Sequence, residues 1–148
     1  MYRIPIYRVT LVRDGSQPSG TRTVSTPTDA VDVLRAYLQP DSLDREHFAV
    51  MLLDAKNHII GINTVSIGEL SSALVHPREV YKPAILASAA GIIVGHNHPS
   101  GDPTPSRADI ELTRRLAQAG ELLGITCLDS LILGDGGRYY SLRDRGDM

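Results

Sequence analysis

The clearest pattern in the sequence is a nearly continuous apolar stretch at residues 46–54. In a β-strand, alternate side chains point to opposite faces, so Phe48, Val50 and Leu52 would cover one face and their neighbours the other. A strand that is apolar on both faces must be covered on both sides, as it is in layered α/β domains. This stretch therefore predicts an inner strand of a sheet that carries helices on both faces.

Prolines, glycines and polar clusters divide the rest of the chain into further predicted elements. We predict strands at 1–12, 46–54, 57–67, 91–95, 125–134 and 138–142, and helices at 27–39, 77–90 and 105–123. Pro83 lies inside the second helix and should kink or split it, because proline removes a backbone hydrogen bond. The third helix is predicted to start at Pro105, capped by Thr104, and to end at Gly124. The order of strands and helices predicts an α/β/α sandwich.

Composition narrows the class of protein. A length of 148 residues suits one domain, predicted as 1–148. Cys127 is the only cysteine, which excludes an internal disulfide and a cysteine-rich structural zinc site. The sequence has no apolar run of about eighteen residues and no recognisable signal peptide. These features predict a cytoplasmic protein that does not span a membrane.

The net charge of −2 bears on the partners of the protein. A dedicated duplex-DNA binder usually carries a basic surplus, because neutralising phosphates drives its affinity. The surplus is absent, which weakens a nucleic-acid hypothesis. A local basic patch around Arg107, Arg114 and Arg115 stays possible.

The stretch with the most chemical information is 95–109, which contains His96, His98 and Asp109. In an extended backbone, side chains two residues apart share a face, so both imidazoles can reach one ion. Imidazole and carboxylate are zinc ligands, and three protein ligands leave a fourth position for water, as in catalytic zinc sites. Asp109 should face inward, because leucines three and seven residues later continue its helix face. We therefore predict one zinc ion per chain on these three side chains.

Structural alternatives exist for each of these residues. Histidines buried in a core are commonly only hydrogen-bonded, and Ser106 with Asp109 also matches a helix capping box. The predicted cap at Thr104 disfavours that second interpretation. A base for the bound water would be a carboxylate, and the candidates are Glu46 at the start of the inner strand and Glu79 near a helix start. The residues alone do not choose between them, since each also suits a surface or capping position.

The spacing His96-x-His98, seven residues, Ser106, two residues, Asp109 resembles the complete JAMM (MPN-plus) motif of zinc metallopeptidases. The wider sequence resembles the catalytic domain of the RadC family over about residues 28–147. The stretches that carry this resemblance are GluHisPheAlaValMetLeuLeuAsp at 46–54, HisProArgGluValTyrLys at 76–82, HisAsnHisProSerGlyAspProThrProSer at 96–106 and LeuIleLeuGlyAspGly at 131–136.

The resemblance implies a cytidine-deaminase-like (JAB/MPN) fold, a three-layer sandwich with a mixed central sheet. It implies zinc on the two histidines and Asp109, Glu46 as general base and acid, and Ser106 as a stabiliser of the oxyanion. Glu79 becomes an outer contact of the site or a substrate-side residue. Related enzymes cleave peptide or isopeptide bonds, often next to ubiquitin-like modifiers, so such conjugated proteins are the expected substrates.

The sequence departs from the RadC pattern in two places. Full-length RadC proteins carry an N-terminal helix-hairpin-helix region that is not found here, which removes the best nucleic-acid-binding element. The family commonly has AspHis where this chain has Asp129 and Ser130, so a polar contact near the site is expected to differ. Two alternatives to a peptidase stay open: a DNA-repair-associated protein or zinc-dependent nuclease, and a non-catalytic MPN-like binding module.

Overall fold

A single mixed sheet forms the centre of the computed structural model, which describes residues 1–68 and 75–148. Its strands are β1 (Glu46–Leu53), β2 (Ile59–Gly68), β3 (Gly91–Asn97), β4 (Thr126–Leu133) and β5 (Tyr139–Ser141). They lie in the order β2-β1-β3-β4-β5, and only the β3–β4 pair is parallel. The described helices are α1 (Pro27–Leu38), α2 (Pro77–Leu86) and α3 (Arg107–Leu123), with a short 3₁₀ turn at Pro40–Ser42.

The two faces of β1 belong to two different hydrophobic cores. Phe48, Val50 and Leu52 pack in one core with buried side chains of α2 and α3. The alternate residues of β1 pack in the other core with α1. The sheet therefore lies between one helix and two helices, and the predicted three-layer α/β/α sandwich with a mixed sheet is confirmed.

A glycine in β3 allows α1 to lie close to the sheet. A Cβ built at Gly95 would come within 2.6 Å of Leu34 Cδ1 on α1. Since real Cβ contacts are longer, a larger residue at position 95 would force the buried Leu34 side chain to shift. Every residue of β3 is buried, so the strand that carries His96 is covered on both faces.

A second glycine, Gly120 on α3, allows α2 to pack closely against α3. Tyr81 on α2 is buried and donates its hydroxyl to the carbonyl oxygen of Leu116 at 2.6 Å. A Cβ at Gly120 would lie 2.5 Å from that hydroxyl and would also clash with the carbonyl oxygen of Ile125. The contact between the two helices therefore depends on the absence of a side chain at position 120.

Gly120→Ala is expected to destabilise the domain by about 1–3 kcal/mol, the usual cost of an overpacked core. Helix propensity alone would predict the opposite sign, a gain of up to about 1 kcal/mol for alanine over glycine. Urea unfolding measures the difference as a shift in midpoint at constant m-value. Glu121→Ala, an exposed change on the same helix, is the control and should leave the midpoint close to wild type. A Gly120→Ala protein as stable as wild type would contradict the packing argument.

The structure corrects one predicted strand and three predicted element boundaries. Residues 1–12 form no strand, because no neighbouring strand in the described ranges pairs with them, and their large apolar side chains from Tyr2 onward are 45–97% exposed. The helix at 77 ends at Leu86, where the chain turns into a left-handed conformation at Ser88. Pro83 does not split that helix. The other two corrections, at the end of β3 and the start of α3, shape the site described below.

No helix in the ranges 1–68 and 75–148 is long and apolar enough to cross a bilayer.

Candidate metal centre

Three predicted ligands meet at the end of β3. The strand was predicted to stop at residue 95, but it continues to Asn97, so His96 belongs to the strand and His98 follows it directly. Asp109 is the third residue of α3, the helix that connects β3 to β4. His96 and Asp109 are buried, with 2% and 6% of their surface exposed, and His98 is half-buried.

The reactive atoms of the three side chains converge on one point. His96 Nε2 lies 3.2 Å from His98 Nε2 and 3.4 Å from Asp109 Oδ1, and His98 Nε2 lies 3.1 Å from Asp109 Oδ2. Neighbouring ligands of a tetrahedral zinc ion, at bond lengths of about 2.0 Å, stand about 3.3 Å apart. The donor set and its spacing therefore fit a divalent metal ion with three protein ligands.

Asp109 is oriented by the N-terminus of its own helix. Ser106, not Thr104, is the cap of α3, and Pro105 lies outside the helix. The Ser106 hydroxyl accepts from the Asp109 N–H at 3.1 Å, and Asp109 Oδ2 accepts from the Ser106 N–H at 2.9 Å. The predicted cap is therefore wrong, because this reciprocal capping box satisfies two backbone donors at once. Capping and facing the histidines are not alternatives, since the same carboxylate does both.

Opposite charges at this site favour an ionised carboxylate. Burial acts to raise the pKa of Asp109, but hydrogen bonds with His96 and His98 outweigh it and hold that pKa well below its usual range. Burial acts to lower the pKa of His98, but contacts with Asp109 and with the Asp102 carbonyl raise it overall. Metal ligation requires an ionised carboxylate, and Asp109 is held in that form.

The imidazole of His98 is held by the loop that connects β3 to α3. Its Nδ1 lies 2.8 Å from the carbonyl oxygen of Asp102, the arrangement that commonly fixes the ring of a ligating histidine and turns its Nε2 toward the metal. Gly101, with a φ of +86°, makes the turn that this loop requires. The contact between His98 and the Asp102 carbonyl could not be predicted from the sequence, because every residue has a backbone carbonyl.

His96 is held by packing. Its ring stacks on Phe48 at a centroid distance of 5.8 Å and an interplanar angle of 17°. Its Nδ1 is buried and has no hydrogen-bond partner within the described part of the chain. Ser130, the position where the family commonly has histidine, is buried on β4 opposite Val94, two residues before His96.

Glu46 and Ser106 lie beside the three ligands. The last pair of the antiparallel β1–β3 ladder is Phe48 with His96, so the start of β1, with Glu46, lies at the end of β3 that leads into His98. The negative charge of Glu46 contributes to the raised pKa of His98, which requires the two groups to be near each other. Ser106 is exposed and its hydroxyl proton is not used by the cap, which needs only the oxygen as an acceptor.

Glu79 lies elsewhere. It occupies the first turn of α2, and its carboxylate pairs with Lys82 at 2.9 Å. This hydrogen bond with Lys82 lowers the pKa of Glu79, as expected for an ion pair at the surface. The structure therefore does not bring Glu79 together with the other candidate residues.

Sequence reasoning also passed over Asn97, between the two histidines. It is 1% exposed, and its amide bonds to the main chain on both sides of Glu46, at Arg45 and His47. The available signal was its position at the end of a fully buried strand, where an amide must find partners.

Comparison with known proteins places the whole arrangement in a family. The model of the RadC-like JAB domain matches residues 24–147. A UPF0758 protein of Moorella thermoacetica is 59% identical over 126 residues, which are 84% of this chain and 54% of that protein. A UPF0758 protein of Rubrobacter xylanophilus is 48% identical over 139 residues, 94% of this chain and 58% of the relative.

A third relative, a UPF0758 protein of Caldanaerobacter subterraneus, is 52% identical over 124 residues, covering 84% of this chain and 52% of its own length. The chain thus spans about half the length of the curated relatives it matches. The family match covers the described sheet, the three described helices and every candidate site residue. On this evidence the chain belongs to the RadC-like JAB domain family.

Proposed function

We propose that this domain is a zinc-dependent hydrolase that cleaves peptide or isopeptide bonds in a peptide or in a protein conjugated to a ubiquitin-like modifier. The observation that carries the proposal is the convergence of His96, His98 and Asp109 beside Glu46. A site with three protein ligands leaves a coordination position for water, which is the arrangement of catalytic rather than structural zinc.

Zinc is the ion that this donor set favours. Two imidazole nitrogens and one carboxylate suit zinc, whereas magnesium and calcium prefer sites made of oxygen ligands. The contacts of 3.1–3.4 Å, which involve both carboxylate oxygens of Asp109, are of the size expected between neighbouring ligands of a tetrahedral ion. A zinc ion held there supplies Lewis-acid activation of water and of the scissile carbonyl.

Two side chains of the domain move or hold protons in this proposal. Glu46 accepts the proton of the attacking water and returns it to the leaving amine, as a general base and then a general acid. The Ser106 hydroxyl donates to the oxyanion that develops on the substrate carbonyl. Its position as the cap of α3 is suitable, because the partial positive charge of a helix N-terminus also favours an anion.

The charges around the site favour an amide over a phosphodiester. Glu46, Asp102 and Asp109 lie in or beside it, and the chain as a whole carries −2. A polyanion would need a basic surround to approach such a centre. Within the described part of the sheet, β2 is an edge strand, and its Gly68 pairs with Glu46. A sheet edge that an extended peptide could join therefore lies one strand from the base.

We expect zinc-dependent cleavage of a peptide or isopeptide substrate, with DNA cleavage absent or at trace level. The assay pairs a panel of quenched peptides and ubiquitin-like conjugates with labelled single- and double-stranded DNA at moderate salt. Each substrate is run with the wild type, with the Glu46→Gln variant and with chelator-treated protein.

The controls separate the competing functions. DNA cleavage that disappears in Glu46→Gln, without activity on any peptide, would replace the peptidase proposal with a nuclease. Zinc-loaded protein that cleaves nothing in either panel would instead favour the non-catalytic binding module.

A further inference from the structure

The side chain of Asn97 connects the strand of the metal ligands to the strand of the proposed base. Asn97 Oδ1 accepts from the N–H of His47 at 2.7 Å, and Asn97 Nδ2 donates to the carbonyl oxygen of Arg45 at 2.9 Å. Glu46 is the residue between these two backbone groups. One buried amide therefore holds the main chain on both sides of Glu46.

We propose that Asn97 is a positioning residue that fixes Glu46 relative to the metal ligands. The inference rests on the proposed role of Glu46 as the general base. Asn97 acts through β1 and not on the metal, because successive side chains of a strand point to opposite faces and both neighbours, His96 and His98, face the cluster.

The end of the β1–β3 ladder shows why the hydrogen bonds of Asn97 are needed. The last described pair of the ladder is Phe48 with His96. Beyond it, β2 pairs with Glu46 on one side through Gly68, and the amide of Asn97 serves the backbone on the other side. The hydrogen bonds of the Asn97 side chain thus replace further β1–β3 backbone hydrogen bonds next to the proposed base.

Small displacements of a catalytic base have large effects on rate. A misplacement of about 1 Å can cost about 10²-fold in turnover. Asn97 lies between the two histidines in the sequence and bonds to the main chain on both sides of Glu46. These two hydrogen bonds therefore fix the distance between Glu46 and the metal ligands. This placement depends on both polar atoms of the amide.

The test compares Asn97→Ala and Asn97→Asp with wild type in the full chain. Amide hydrogen exchange at His47 should accelerate about tenfold in Asn97→Ala, the factor expected for losing one buried hydrogen bond. Asn97→Asp retains the acceptor and should keep His47 protected. Zinc content should stay at the wild-type value in both variants, since no ligand is changed. In Asn97→Ala, kcat on the best substrate of the cleavage panel should fall about tenfold or more with little change in KM.

A double-mutant cycle separates positioning from general destabilisation. If Asn97 acts through Glu46, Asn97→Ala should reduce turnover by less than about twofold in the Glu46→Gln background. Tyr81→Phe is the matched control, because Tyr81 is also buried and donates to the Leu116 carbonyl at 2.6 Å, which lies seven residues, or about 10 Å, along α3 from Asp109. It should lower stability and leave turnover unchanged.

The outcomes distinguish this inference from the proposal on which it rests. Unchanged exchange at His47, or a full additional loss of turnover in the Glu46→Gln background, would overturn the positioning role. Full turnover in Glu46→Gln alone would instead overturn Glu46 as the base. If the wild type cleaves nothing, the hydrolase proposal fails while the exchange measurement still decides whether Asn97 holds the backbone of β1.

Discussion

Replacing His96, His98 or Asp109 singly with alanine is expected to remove the metal and to abolish hydrolysis. Purified wild type should contain about one zinc ion per chain, and each variant should contain much less. Removing a residue that only orients a metal ligand lowers metal affinity by about 10–100-fold. Removing a ligand itself is expected to lower it by at least that much. Elemental analysis of protein purified without chelator measures both values.

The domain should stay folded without the metal, which makes the result interpretable. Its two hydrophobic cores lie between the sheet and the helices and include none of the three ligands, unlike a zinc finger that depends on its ion to fold. Asp109→Ala also removes part of the capping box and should cost about 0.5–2 kcal/mol of stability. Metal-stripped wild type is therefore the reference for circular dichroism and melting.

A histidine outside the cluster provides the control. His58 pairs with Asp54 near the surface, so His58→Ala should retain one zinc per chain. Full zinc content in the three ligand variants would show that the ligand assignment is wrong. Wild type that neither contains zinc nor takes it up would contradict the catalytic proposal itself.

Glu46→Gln is expected to keep its zinc and to lose turnover by about 10²-fold or more, the usual contribution of general acid–base catalysis. Glutamine preserves the size of the side chain and its hydrogen-bonding oxygen but cannot accept the proton. The loss should therefore fall on kcat, while the substrate still binds. Steady-state kinetics on a cleaved member of the peptide and conjugate panel, together with zinc analysis of the same samples, measures this separation.

Glu79→Gln tests the other carboxylate that the sequence offered. Because Glu79 pairs with Lys82 on the surface of α2, its substitution should leave turnover at the wild-type level. An inactive Glu79→Gln protein beside an active Glu46→Gln protein would mean that the wrong carboxylate was chosen. Loss of zinc in Glu46→Gln would also contradict the assignment, since it would make Glu46 a ligand.

Several features of the protein could be predicted from local sequence because their physical cause is local. The alternation in β1 predicted two covered faces, and the structure places Phe48 and Ala49 in different cores. The spacing of His96 and His98 predicted a shared face, which follows from the geometry of any extended strand. The positions of α1, α3 and the inner strands followed from periodicity and from proline and glycine, with errors of a few residues at their ends.

Other features required the tertiary structure, because their cause lies in residues far apart in the sequence. Residues 1–12 were predicted to form a strand, yet a strand needs a partner, and none pairs with this segment within the described residues. Pro105, as a suitable first helical residue, favoured a cap at Thr104, but the reciprocal hydrogen bonds of Ser106 and Asp109 make Ser106 the cap.

The positions of Glu46 and Glu79 relative to the predicted ligands also depend on tertiary structure. The register of β1 against β3 brings the start of β1, with Glu46, to the end of β3, whereas Glu79 lies on α2 in an ion pair with Lys82. Local sequence thus determined which side chains could bind a metal, since that is a property of residue type and spacing. Only the packed sheet determined which carboxylate stands beside them and which amide holds it, because hydrogen bonds between strands join residues about fifty positions apart.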